Sequence, residues 1–259
     1  MVAAGAYVVE ISPPARLGEA LGISGILTLT AQAAGPSLAD ALHRAVSWHA
    51  VFWTAAVVGG LSIAPALRLS PVTSAQATGP AALRRAWAVL LATAGAGLGY
   101  GAIWTFLADY ARRLGGVSVA WFFAPYVVGA VFSRVSLGGL ADRRGRAPVS
   151  AIALVGHVGA FGLLAIASGP LHLALVGIVY GVCHGLYYPA MQALVVERAG
   201  GTRRTAVAAA VLAYGLGIVA AAWGLAPLAR ASGYPTFYGV AAAVGAASVS
   251  YTHLPAHET

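Results

Sequence analysis

Apolar runs of about twenty residues follow one another along this chain, and polar residues are confined to the short stretches between them. The runs cover about 18–41, 47–68, 86–110, 118–140, 148–168, 171–196 and 204–229, with a shorter one over about 234–250. A helix needs roughly 20 mostly apolar residues to cross ~30 Å of hydrocarbon, so each full run predicts a membrane-spanning helix. The runs are twice as long as a barrel strand and lack its apolar–polar alternation. Ala, Gly, Val and Leu dominate them, and small residues let spans approach closely. The pattern predicts an all-α polytopic membrane protein with about seven complete transmembrane helices. Fragments flank them: residues 1–9 read as the tail of an earlier helix, and 234–250 as the start of another.

Composition agrees. Hydrophobic residues make up 59% of the chain, charged residues only 8%, and the mean hydropathy is +0.81. A soluble domain carries about 25% charged residues, so lipid rather than water is the expected solvent. The net charge of +8 comes entirely from arginine. A nucleic-acid-binding domain gathers cations on an otherwise polar face, whereas here they sit in clusters between apolar runs, so nucleic acid is not an expected partner. The lone Cys183 excludes an internal disulfide framework and a cysteine-based zinc site. No HExxH, Gly-x-Ser-x-Gly or phosphate-binding loop is present, so neither an enzyme nor a metal or cofactor is expected.

The arginines set an orientation. Arg16, Arg68, Arg84, Arg85, Arg134, Arg143, Arg144, Arg146, Arg198, Arg203 and Arg204 fall on one side; Arg44, Arg112, Arg113 and Arg230 fall on the other. That bias places the first group in the cytoplasm, in a multi-pass protein of the inner (plasma) membrane. The stretch "SPVTSAQATGPAALRR" (70–85) reads as a linker between a bundle over 1–69 and another over 86–248. A weak repeat supports the division: "PARLGEALGISG" followed by "WHAVFWTAAVVGG" recurs as "GTRRTAVAAAVLAYG" followed by "YPTFYGVAAAVGA".

One turn concentrates the charge. "GGLADRRGRAPV" (138–149) sits between two apolar runs and resembles the cytoplasmic signature of the major facilitator superfamily, Gly-x-x-x-Asp-Arg-x-Gly-Arg, at Gly138, Asp142, Arg143, Gly145 and Arg146. "ISPPARLGEALGISG" resembles that family's fourth loop and fifth helix, "WTFLADYARRLG" its seventh helix, and "HGLYYPAMQALVVE" its tenth. This resemblance implies a partial major facilitator fold running from late helix 4 to early helix 12. It also implies a gate. The acid at Asp142 would face a helix end in the opposite half, around Arg16 to Ala20, with the arginines pairing across the interface. Gly145 permits the positive φ of a two-residue reversal. "AAGPSLA" (33–39) partly resembles the family's antiporter signature: Gly35 and Pro36 match and predict a helix 5 kink, while Ala31 and Ala39 stand where glycine is usual.

Polar groups inside apolar runs are costly and are the candidates for substrate or proton coupling. His184 shares a helical face with Tyr180, Tyr187, Tyr188 and Gln192, and an imidazole titrates in the working pH range; the alternative is a neutral histidine bonded within the bundle. His157 lacks polar companions at helical spacing and reads as packing. Asp109 lies one turn from Arg112 and Arg113, either paired there or available to a proton. Gln32 is the remaining intramembrane polar candidate. Trp104, with Phe106, Trp121 and Phe122, lines an aromatic cavity or faces lipid.

The tail "VSYTHLPAHET" (249–259) brings two His, a Glu and a Pro where an apolar helix should continue. It resembles a translated sequencing adaptor and is set aside as non-native. The functional expectation is secondary active transport of small organic molecules by alternating access, with protons as coupling ion and efflux as direction. The alternatives are a proton-coupled uptake symporter for a sugar or organic acid, or a non-transporting membrane receptor or scaffold.

Overall fold

The computed structural model describes residues 17–68, 84–137, 139–199 and 203–252, and every regular element among them is helical. In chain order these are α1 (Leu17–Ala45), α2 (Trp48–Ala66), α3 (Trp87–Arg113), α4 (Ala120–Leu137), α5 (Leu140–Arg144), α6 (Arg146–Ala165), α7 (Pro170–Ala199), α8 (Arg203–Gly224) and α9 (Ala226–Thr252). Helices Trp48–Ala66, Trp87–Arg113, Ala120–Leu137, Arg146–Ala165, Pro170–Ala199 and Thr205–Gly224 are long and apolar enough to cross a membrane. α1 has the length, but Glu19, Thr28, Thr30, Gln32, Asp40 and Arg44 make it more polar.

The chain divides into two units that part between Gln76 and Ala77. In the first, α1 and α2 pack on each other. Ser47 caps α2 by accepting the Ala50 amide through its side chain, which supplies one of the donors a helix start leaves open. No residue of α2 is buried. α1 runs unbroken through Pro36.

The second unit is a bundle. α4 packs on α7, α3 on α8, and α9 on α6 and α3, while α7 also meets α6 and α8. Its interior is aromatic: Phe122, Tyr126, Tyr180, Tyr187, Phe237 and Tyr238 are all fully buried. Two local breaks differ from the sequence reading. The apolar run expected to reach 229 stops at Gly224, and α9 then bends at Gly233, where φ is 77°. That value is open to glycine at no steric cost, and Pro235 follows at once. The charged reversal is also longer than two residues, because a one-turn helix, α5, precedes Gly145 at φ 91°. α9 continues to Thr252, four residues into the odd tail; residues 253–259 lie outside the described residues, as do 1–16 and the stretch 69–83.

Candidate functional site

Three glycines bring the site together. Gly177, Gly181 and Gly185 recur every fourth residue on α7, forming one smooth ridge. A Cβ on Gly177 or Gly181 would overlap the backbone of α4 at Phe122 and Tyr126, and one on Gly185 would collide with Ala130 and Ser133. Close approach of this kind is how small residues join membrane helices. It sets Tyr126 of α4 against Tyr180 and His184 of α7, with ring centroids 6.0 and 5.9 Å apart.

His184 is the hub of the resulting cluster. Around its ring stand Tyr100 of α3 at 5.3 Å, Tyr188 of α7 at 5.8 Å, His157 of α6 at 6.1 Å and Tyr214 of α8 at 6.4 Å. Five helices therefore contribute to one aromatic cluster. Trp104 stacks on Tyr100 at 4.0 Å and meets Phe123 and Tyr126 edge-on. It is half-buried.

The hydrogen-bond accounting separates these groups. Among the described residues, Nδ1 of His184 and the hydroxyls of Tyr126, Tyr180 and Tyr214 are buried without a hydrogen-bond partner. Each such atom costs about 1–3 kcal/mol, and native interiors keep them few. Here four sit in one cluster. His157 behaves otherwise: its Nδ1 lies 2.8 Å from the carbonyl oxygen of Ala153, one turn back on α6. Its companions are absent from its own helix but present across the α6–α7 contact, with Tyr180 at 4.6 Å and Tyr187 at 5.6 Å.

Arg134, grouped by its position in the chain with the cytoplasmic-side arginines, stands in the last turn of α4 just before the charged turn, half-buried. Among the described residues its Nε is buried without a hydrogen-bond partner.

The remaining candidates divide by location. The Tyr187 hydroxyl donates to the Ala92 carbonyl at 3.4 Å, tying α7 to α3. Half-buried Gln192 stands beside the Tyr188 hydroxyl. Asp109 lies at the other end of α3, where its carboxylate accepts from Arg112 at 2.9 Å and Arg113 at 3.1 Å. A third donor, the Tyr234 hydroxyl of α9, was not foreseen. Gln32, Gly35 and Pro36 belong to the first unit; Gln32 is half-buried and Gly35 lies on an open face of α1. In the charged turn, Arg143 and Arg144 are exposed, and Arg146 donates to Glu197 of α7 at 3.3 Å. That ion pair lies within the second unit, joining the start of α6 to the end of α7. Gly138, the side chain of Asp142 and the expected partner Arg16 lie outside the described residues.

Among the described residues no group of three or more His, Cys, Asp or Glu could hold a metal ion. No match is found among curated proteins. The family model of the Major Facilitator Superfamily matches residues 1–222 and again residues 89–259. The chain belongs to that superfamily: it is a multi-pass membrane protein of a family of secondary transporters, which handle small molecules across a lipid bilayer.

Proposed function

We propose that the protein moves a small organic molecule by alternating access with protons as the coupling ion, and that the His184 cluster is where both are bound. The observation carrying this reading is the concentration of unpartnered polar atoms, His184 Nδ1 with the Tyr126, Tyr180 and Tyr214 hydroxyls, inside an otherwise apolar bundle. Such atoms are costly unless something visits them. An imidazole can take and release a proton in the physiological range, while tyrosine hydroxyls both donate and accept. The faces of Tyr100 and Trp104 offer a flat apolar contact to the substrate. Asp109, already held by three donors, is the less suited proton carrier.

The rest of the reading follows the charged turn. Asp142 and the neighbouring arginines serve as a cytoplasmic gate, and the arginine-rich end faces the cytoplasm of a cell whose plasma membrane holds the protein. Export is supported by Gly35 and Pro36 in the antiporter-like stretch.

The test uses the full-length transporter in proteoliposomes loaded with a pH-sensitive dye. Substrate-triggered proton movement is expected in the wild type and in His157→Ala, and is expected to fall at least tenfold in His184→Ala. Asp142→Asn should stop turnover while the protein stays inserted. Proton movement that survives His184→Ala would remove His184 as the coupling group. The sign of the pH change on adding substrate distinguishes export from uptake.

A further inference from the structure

We propose that the second unit opens and closes along a seam between two locked helix pairs, α3–α8 on one side and α4–α7 on the other, and that this seam is the way into the His184 cluster. The inference rests on the transport reading above and adds a motion inside one unit to the rocking of two halves. It begins with where backbones touch. Between α4 and α7 the fit is reciprocal. Besides the α7 glycines already described, a Cβ on Gly129 of α4 would lie 2.6 Å from the Ile178 carbonyl oxygen and 3.0 Å from the Val182 amide nitrogen. α3 and α8 repeat the arrangement. A Cβ on Gly101 of α3 would lie 2.8 Å from the Ile218 backbone, one on Gly97 would overlap the Tyr214 carbonyl, and one on Gly217 of α8 would overlap the Ala94 carbonyl. Backbones packed this closely have no slack to deform, so each pair moves as one body.

Between the pairs the contact is of another kind. α3 meets α7 only lightly, and rings rather than backbones span the gap. Tyr100 stands 5.3 Å from His184, Trp104 4.9 Å from Phe123, and Tyr214 5.5 Å from Tyr188. Side chains can slide past one another where packed helices shear, without disturbing either glycine contact. His184 is 4% exposed and stands in this seam with Nδ1 unpartnered among the described residues. Opening here brings a partner to the atom that lacks one.

The two ends of the seam are fastened differently. At the Asp109 end, the Tyr110 hydroxyl of α3 donates to the Leu164 carbonyl of α6 at 2.9 Å, and the Tyr234 hydroxyl of α9 donates to Asp109. At the arginine-rich end, Val89 and Ala92 of α3 and Ala206 and Ala210 of α8 share a buried apolar cluster with Tyr187 and Met191 of α7. The hydrogen bond that crosses there, from the Tyr187 hydroxyl to the Ala92 carbonyl, is 3.4 Å long. Apolar contact is non-directional and reforms after each separation. The arginine-rich end is therefore the one that parts, pivoting on the Asp109 end.

The experiment is pulsed electron–electron resonance on the full-length transporter in lipid nanodiscs, with nitroxide pairs in a Cys183→Ser background. Val135→Cys of α4 with Ala208→Cys of α8 reads across the seam. Val135→Cys with Leu175→Cys of α7, and Leu91→Cys of α3 with Val219→Cys of α8, read within each pair; all five positions are exposed. Two cross-seam populations are expected, separated by roughly 5 Å, the scale of a one-turn helix shift, with one narrow population for each within-pair control. Tyr187→Phe removes the bond to Ala92 and should raise the longer cross-seam population at least twofold. A cross-seam distribution as narrow as the controls, in both the wild type and Tyr187→Phe, would overturn the seam. Controls that broaden as much as the cross-seam pair would overturn the locked pairs. A narrow seam beside intact His184-dependent proton movement refutes this inference and leaves the transport reading in place. Two cross-seam populations without such proton movement support the seam and refute that reading.

Discussion

Two polar regions of the second unit obey opposite rules. At one end of the bundle, Asp109 collects Arg112, Arg113 and the Tyr234 hydroxyl, so its carboxylate is held by three donors from the protein. In the interior, His184, Tyr126, Tyr180 and Tyr214 stand together with atoms that have none among the described residues. The end cluster is half in solvent, with 37% of the Asp109 side chain exposed, and needs its partners least; the interior cluster needs them most. Satisfied polar groups hold helices together, here α3 to α9. Unsatisfied ones persist only where a ligand, a proton or water supplies what the protein withholds. His157 makes the contrast within the interior itself: it neighbours His184 but is bonded to Ala153, and it reads as structure.

The comparison can be broken most severely at its foundation. Gly181→Leu inserts a side chain where α7 touches the α4 backbone at Tyr126. Overpacking typically costs about 1–3 kcal/mol and more where backbone must move. The expected outcome is loss of monodisperse protein on detergent extraction, and a normal elution profile would show that the ridge is not needed. A sharper cut separates the two histidines. His157→Ala removes a buried, bonded ring and should cost about 1–3 kcal/mol in unfolding stability. His184→Ala removes a ring whose Nδ1 has no partner, so its stability cost should be clearly smaller while its effect on transport is larger. Equal losses for both in thermal unfolding would erase the distinction. The smallest effect belongs to the end cluster. Asp109→Asn gives up ion pairs that are largely in solvent, and pairs of that kind are worth about 0.2–1 kcal/mol. A slight drop in melting temperature with transport intact is expected, and a transport defect would move Asp109 from the structural side of the comparison to the functional one.

How much of this was readable in advance varies with distance along the chain. The spans were, because length and hydropathy are local: α3, α6 and α7 fall where the apolar runs lie. Gly145 was, because a signature glycine in a turn points to positive φ. The stripe Tyr180, His184, Tyr187, Tyr188 and Gln192 was, because helical periodicity places those residues on one face. The burial of the Arg134 Nε was not, since counting arginines by side of the membrane does not say which neighbouring side chains cover each one. Tyr234 was missed as a partner of Asp109 because 125 residues separate them. The environment of His157 was missed for the same kind of reason, its neighbours belonging to another helix.

The order of residues is enough to specify a helical membrane protein of the major facilitator type, where its helices run, and which residues share a face. Those properties follow from the free energy of moving side chains and a 3.6-residue turn out of water, which each segment decides alone. Only the tertiary structure decided which polar atoms find partners. Glycine ridges set how closely helices approach, that spacing settles which side chains meet, and here it leaves an imidazole and three tyrosine hydroxyls in one cluster with hydrogen bonds unmade among the described residues.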